Sequence, residues 1–301
     1  NVPGHGSVSV GRAGFDGYFA QNDGDFRARI KINKFGLRHP EPVAASNNRI
    51  WVVGDSVAFG WGVGGNQMMS AQLVRLSETP TYNVASPGSD ICGYQALVSR
   101  MPTTTRPRGG VIVLTLENDL RIYDCQAENE TTLIPSGGMG PLSLARTKEF
   151  MMKYSALYNL SAVTIKRTPL IRDLLIDVGI IKRGHAVKTR HTKAEIQPRA
   201  ASAADELKKL RAMFPPDVPV GILLVPARFE IRDNDSFFRQ IRKAVKFELA
   251  NRGLDVIDPF EEFRQAGFSA THFAHDGHWS ATGHAVAARA AAQWLVSKDL
   301  R

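Results

Sequence analysis

Short apolar runs that stop at glycine or polar residues recur along this chain, with amphipathic stretches between them. Residues 49–54, 82–85, 111–116, 220–225 and, more weakly, 254–257 form such runs. They are too short for helices and rich in Val, Ile and Leu, the pattern of strands buried on both faces. Helical spacing of apolar residues runs through 66–76, 203–213, 236–251 and 283–297. Strands alternating with helices predict right-handed crossovers and a parallel sheet covered on both faces, which is an α/β fold in three layers. In such sheets functional groups collect just beyond the carboxyl ends of the strands.

Two stretches depart from this alternation. Residues 1–48 are rich in Gly, Asn and charge, and only 26–32 alternates as a short strand; they read as an N-terminal extension. Residues 127–200 are too long for a connection inside a compact domain. The apolar spacing in 150–160 and 161–181 predicts amphipathic helices there, so 127–200 reads as a helical insertion within a single domain spanning 1–301.

Composition narrows the class. The longest apolar stretch, 218–227, contains two prolines and is far short of the roughly 20 residues that span a membrane. The net charge of +9 invites an anionic partner. No helix-turn-helix, RRM or zinc-finger signature accompanies it, so specific nucleic-acid binding is not expected. Twelve Lys and Arg against four acids leave +8 in residues 141–200 alone. That segment therefore reads either as a docking surface for something anionic or as a solvated helical face. The chain begins Asn1-Val2-Pro3, which points to removal of a leader.

The strand ends carry the candidate chemistry. After the first run comes Gly54-Asp55-Ser56, where a serine at a strand-to-helix turn presents its hydroxyl at the sheet edge. Taken alone, the same tripeptide is a helix N-cap. The second run ends Asn83-Val84-Ala85-Ser86-Pro87-Gly88, and Gly88 offers an unhindered N–H or simply completes a Pro-Gly turn. Glu117-Asn118-Asp119 follows the third.

Near the C-terminus His272, His275, His278 and His284 fall within 13 residues. Clustered histidines suit zinc, but Gly277 interrupts helical i, i+4 spacing and no HExxH motif or thiolate accompanies them. Neither metal nor cofactor is expected. Asp276-Gly277-His278 fits instead the acid and base of a hydrolytic triad, an aspartate orienting an imidazole that takes a serine proton.

In this order the four blocks resemble the SGNH hydrolase superfamily, the GDSL esterases: Gly54-Asp55-Ser56, Asn83 to Gly88, Asn118-Asp119 and Asp276-Gly277-His278. The resemblance implies a flavodoxin-like α/β/α sandwich. It also implies Ser56 as nucleophile, His278 as base and Asp276 as its partner. The oxyanion hole would come from the Ser56 and Gly88 N–H groups and the Asn118 side chain. Two departures stand out. Leu116 occupies the position that is usually Gly in the third block, and could bend the backbone or narrow the cleft. Asp276 and His278 are separated by one residue, as in the branch of carbohydrate acetyl-esterases and polysaccharide O-acetyltransferases.

Among the remaining residues, Asp55 is expected to brace the turn around Ser56, and His284 to pack or cap. Arg228 and His275 are candidates for substrate contact. Arg228 equally suits a surface ion pair with Glu230 or Asp233, and His275 an exposed loop. Cys92 and Cys125 follow the second and third blocks, and read as two buried thiols or as one bridge bracing the loops that carry oxyanion donors. The expected function is a secreted or periplasmic serine esterase, a cytoplasmic location remaining open. It would remove acyl groups, acetyl first, from a carbohydrate that is acylated or acidic. The alternatives are an O-acyltransferase with the same triad, and a non-catalytic glycan- or lipid-binding module.

Overall fold

Two sheets organise the computed structural model, which describes residues 8–20, 24–126 and 192–300. The first is an antiparallel pair, β1 (Asp16–Ala20) and β2 (Arg27–Lys31). The second is wholly parallel and comprises β3 (Ile50–Gly54), β4 (Thr81–Ala85), β5 (Gly109–Thr115), β6 (Val220–Val225) and β7 (Asp255–Ile257). Its spatial order is β4-β3-β5-β6-β7. Counted within the sheet this is 2-1-3-4-5, the flavodoxin-like order, whose switch point lies between β3 and β5.

The helices are α1 (Ser56–Phe59), α2 (Met69–Ser77), α3 (Ile91–Ser99), α4 (Lys193–Ala212), α5 (Arg228–Asp233), α6 (Ser236–Asn251), α7 (Phe260–Ala266), α8 (Phe268–Thr271) and α9 (Ala281–Ser297). The period of two along each strand sorts side chains into two cores. Trp51 and Val53 of β3 join Ile112, Leu114, Ile222 and Leu224 beneath α3, α4 and α6. Ile50 and Val52 join Val111, Val113, Leu223 and Val225 beneath α1, α2 and α9. Both faces of the sheet are thus buried, and the layers are α/β/α. Among the described residues no helix is long and apolar enough to cross a membrane.

Two boundaries differ from the sequence reading. The chain divides into two units, one comprising Asn1–Ala20, Asp25–Leu133 and Lys193–Arg301, the other Gln21–Gly24 and Ile134–Thr192. Residues 193–200 therefore belong to the sandwich: they open α4, where Ile196 and Ala200 are buried in the core. Their apolar spacing is diluted by Lys193, Glu195, Pro198 and Arg199, which hid the helix start. The expected helices over 150–160 and 161–181 lie outside the described residues. The N-terminal stretch, read as an extension, supplies core. Leu37 packs under α3 and α4, Ile30 and Ile32 pack into the opposite layer, and the Asn33 amide donates to the Tyr82 hydroxyl on β4 (2.8 Å).

Candidate active site

The nucleophile candidate stands on a single turn of helix. A helix of four residues has few internal hydrogen bonds, so its end groups must be satisfied from outside. Asp55 caps α1 by accepting the Val57 N–H (2.8 Å), and Gly60, at φ +84°, closes its C-terminus in the left-handed conformation. The Asn83 amide of β4 donates to the Ala58 carbonyl (3.1 Å). Arg38 donates to the carbonyls of Phe59 (3.3 Å), Gly60 and Val63 (2.6 Å). The Arg38 side chain is buried, and burial lowers its pKa to about 10, so it stays a cation at neutral pH. Its charge lies at the negative end of α1, where the helix dipole favours it. Gly54 lets the turn sit tight on the sheet, since a Cβ there would fall 2.7 Å from the Ala58 Cβ.

The acid and base candidates lie on a loop closed upon itself. His272 and Trp279 form an isolated antiparallel bridge, and the Phe273 N–H donates to the His278 carbonyl (2.9 Å). Within the loop the Asp276 carboxylate accepts the His278 N–H (3.0 Å) and also contacts His278 Nδ1. His278 Nε2 is 2.8 Å from Ser56 Oγ. With the imidazole proton on Nδ1, held there by Asp276, Nε2 is the acceptor for the Ser56 hydroxyl. Asp25 anchors the loop from outside, accepting the N–H groups of His275 (2.7 Å) and Asp276 (2.9 Å) and pairing with His275 Nδ1 (2.7 Å). Burial pushes the Asp25 carboxyl up, but these hydrogen bonds outweigh it and hold the pKa below the usual carboxylate range. The Trp61 ring packs 5.7 Å from the His278 ring, with Phe19 of β1 edge-on to Trp61 at 4.5 Å.

The oxyanion candidates flank this pair by register. Gly54 lies opposite Ala85 of β4 and Val113 of β5, so the turns after β4 and β5 leave the same edge on either side of Ser56. The turn after β5 is tight: Asn118 and Asp119 N–H groups both return to the Thr115 carbonyl (3.0 and 2.9 Å). Asp119 closes it by accepting the Thr115 N–H and the Tyr94 hydroxyl (both 2.8 Å), which leaves Asn118 exposed at the edge. Burial, with the Asp55 charge added, pushes Asp119 well above the usual carboxylate range; burial raises Asp55 as well. Gly88 is exposed, with φ +78°, in a Ser86-Pro87-Gly88-Ser89 turn in which the Ser89 N–H donates to the Ser86 carbonyl (3.3 Å). Proline followed by a positive-φ glycine is the type II pattern. Cys92 at the start of α3 and Cys125 are joined in a disulfide, Cα–Cα 5.2 Å, which ties together the segments that follow these two turns.

Ser56, Asn118, Asp276 and His278 all line one cleft of about 100 Å³, with Glu117, Arg228, His272 and Gly277 beside them. Gly88 lies outside that lining, as does His275. A larger cavity of about 610 Å³ lies against β2, Arg38 to Glu41 and α2, and none of the four residues lines it.

The sequence matches no protein-family model and no curated protein. Solved structures with a similar chain course include a lipolytic G-D-S-L family protein from Veillonella parvula, 14% identical, covering 82% of this chain and 98% of its own, with TM-score 0.44. A lipase/acylhydrolase from Enterococcus faecalis is 13% identical, with coverages of 83% and 96% and TM-score 0.47. An acetyl-xylooligosaccharide esterase from Geobacillus is 14% identical, with coverages of 82% and 94% and TM-score 0.43. These are likenesses; the chemistry of this chain is read from its own side chains.

The four clustered histidines go to four different places. His278 meets Ser56, and His275 turns away to Asp25. His272 stacks on Phe268 at 4.7 Å, and burial lowers its pKa to about 4. His284 accepts the Met69 N–H at the start of α2 (3.3 Å), and burial lowers it to about 3. Arg228 does line the cleft, but the ion pair expected with Glu230 or Asp233 is not its contact. It pairs with Glu117 (3.2 Å), while Glu230 pairs with Arg242 and Asp233 with Arg232. Leu116 does not line the cleft. Its side chain is buried in the core that also holds residues of α3 and α4. Arg38 and Asp25 escaped the sequence reading, because an isolated charge in a polar stretch gives no local sign of its distant partners.

Proposed function

We propose that this protein is a serine ester hydrolase of the SGNH type that forms an acyl-enzyme on Ser56. The observation that carries the reading is the continuous contact from Ser56 Oγ through the His278 ring (2.8 Å) to the Asp276 carboxylate. A free serine hydroxyl is a poor nucleophile at neutral pH, and an adjacent oriented base corrects this. In the proposed mechanism Ser56 Oγ bonds to the ester carbonyl carbon while its proton passes to His278 Nε2. Asp276 stabilises the imidazolium. The negative charge on the carbonyl oxygen is met by the Ser56 and Gly88 N–H groups and the Asn118 amide. The carbon–oxygen bond to the leaving alcohol then breaks, the alcohol taking the proton from Nε2. Water repeats the sequence to release the acid and restore Ser56.

The substrate reading is acetyl on a carbohydrate. A cleft of about 100 Å³ is well below the 300 Å³ at which drug-sized ligand sites begin, which favours a short acyl group with the alcohol portion left outside. Contact of 141–200 with an anionic surface belongs to the same proposal; most of that segment lies outside the described residues. The disulfide favours an oxidising compartment, secreted or periplasmic.

An aryl-ester panel from acetate to octanoate, run beside acetylated oligosaccharides, tests this. Acetate is expected to turn over fastest, Ser56→Ala to lose nearly all turnover, and a fluorophosphonate probe to label Ser56. Undiminished hydrolysis by Ser56→Ala protein refutes the nucleophile. Acetyl appearing on an added sugar acceptor rather than as free acetate would assign transfer in place of hydrolysis.

A further inference from the structure

Two charged residues in the cleft, Glu117 and Arg228, have no part in the ester chemistry above, yet their geometry joins its two halves. Glu117 precedes Asn118 on the turn after β5. Its carboxylate accepts the backbone N–H of Arg228 (2.6 Å), at the start of α5, where the N-cap residue Ala227 has no side-chain acceptor. The other carboxylate oxygen lies 3.2 Å from Arg228 Nε. Held at backbone and side chain by one carboxylate, the guanidinium reaches across to the acid–base loop, where Nη1 donates to the Asp276 carbonyl (3.5 Å). It also lies close against Gly277: a Cβ there would fall 2.1 Å from Nη1, and φ is +85°. Only glycine permits both the approach and the conformation.

We infer that Glu117 and Arg228 form a positioning pair that sets the spacing between the Asn118 turn and the loop carrying Asp276 and His278. The inference rests on the esterase reading. Asp25 holds the loop through the N–H groups of His275 and Asp276, and Arg228 holds the carbonyl of Asp276, so the loop is gripped through both its donors and its acceptor. The charge of Arg228 is compensated by Glu117, which suits a structural bridge better than a receptor for an anionic substrate. The rigid fork of the guanidinium can serve Glu117 and the loop together; a lysine ammonium is a point charge on a flexible stem.

The test uses the full chain with Arg228→Gln, Arg228→Lys, Glu117→Gln and the double Glu117→Gln/Arg228→Gln variant. Hydrolysis of 4-nitrophenyl acetate is read as separate kcat and KM values, and His278 ring signals are followed by NMR. A displacement of about 1 Å costs up to roughly 10²-fold in rate. The expected result is a fall in kcat of roughly 10- to 100-fold with KM unchanged, and shifted His278 ring signals. The Lys variant should recover little, and the double variant should be no worse than Arg228→Gln, because the two residues act as one unit. Glu117→Gln keeps an acceptor for the Arg228 N–H and guards against simple loss of folding. A rise in KM at unchanged kcat would make Arg228 a substrate-binding residue and overturn the inference, as would additive losses. If the wild-type protein neither hydrolyses ester nor takes the fluorophosphonate label, the esterase reading fails. The NMR arm then decides alone, and unmoved His278 signals in Arg228→Gln refute the positioning.

Discussion

At the scale of single residues, two groups of the candidate site sit next to more deeply buried carboxylates. Asn118 is exposed beside a buried Asp119, and Ser56 is half-buried beside a buried Asp55. One oxyanion donor is typically worth about 3–4 kcal/mol in the transition state. Asn118→Ala should therefore lower kcat by roughly 10²-fold or more with little change in KM, measured on an aryl acetate; unchanged kcat would remove Asn118 from the oxyanion hole. The histidines differ in kind. His272 and His284 are buried and His39 is half-buried, and this desolvation lowers their pKa values to about 4, 3 and 4. The unfolded chain, with histidine near 6.5, therefore binds more protons than the native state below that pH. Their contribution is fully present above about pH 6.5 and is lost as pH falls toward 4, at up to about 1.4 kcal/mol per pH unit for each. The Tm measured from pH 8 to 5 should drop on the acid side, and His284→Asn, which keeps an acceptor for the Met69 N–H, should flatten that drop. An identical acid slope in the variant would contradict the burial argument.

Among elements, α1 shows most plainly how local structure depends on distant chain. Its carbonyls are satisfied by Asn83 from β4 and by Arg38 from the N-terminal stretch, so the turn that carries Ser56 forms fully only when the sheet and that stretch are assembled. The disulfide works between elements. Cys92 opens α3 and Cys125 follows the turn of Asn118, with a sequence separation of 33. Closing a loop of that length removes about 4 kcal/mol of freedom from the unfolded chain. For a protein of this size such a loss is expected to lower Tm by roughly 6 °C. Reductant, or the Cys92→Ser/Cys125→Ser variant, should produce that fall in a thermal melt. A Tm unaffected by either would mean the bridge contributes nothing to stability.

On the scale of the whole molecule, the excess positive charge and the candidate chemistry occupy different parts of the chain. The net charge is +9, and residues 141–200 carry +8 of it. Of that segment, Lys193 and Arg199 belong to α4, where Arg199 pairs with Glu195 (2.9 Å). The remaining basic residues of 141–190 lie outside the described residues. Neutralising Lys166, Arg167, Lys182 and Arg183 should weaken salt-dependent binding to acidic oligosaccharides or anionic vesicles while aryl acetate hydrolysis continues. Binding that keeps its full strength and salt dependence would leave 141–200 as a solvated face.

What the sequence by itself determined was the α/β class, all five strands of the parallel sheet to within two residues, and the positions of Ser56, Gly88, Asn118, Asp276 and His278 as candidates. These are local signals: strand runs are contiguous, the turns of Ser56, Gly88 and Asn118 directly follow them, and Asp276-Gly277-His278 is a contiguous motif. The tertiary structure decided what depends on distance through space. It selected a bridge over two free thiols for Cys92 and Cys125, sent His275 to Asp25 and Arg228 to Glu117, and turned Leu116 into the core. It also brought Arg38 to the turn of Ser56 and Asp25 to the loop carrying Asp276 and His278. The reason is physical. A hydrogen bond or ion pair between residues 111 or 250 apart, as between Glu117 and Arg228 or Asp25 and His275, leaves no periodicity at either end. Only the folded sheet brings the partners together.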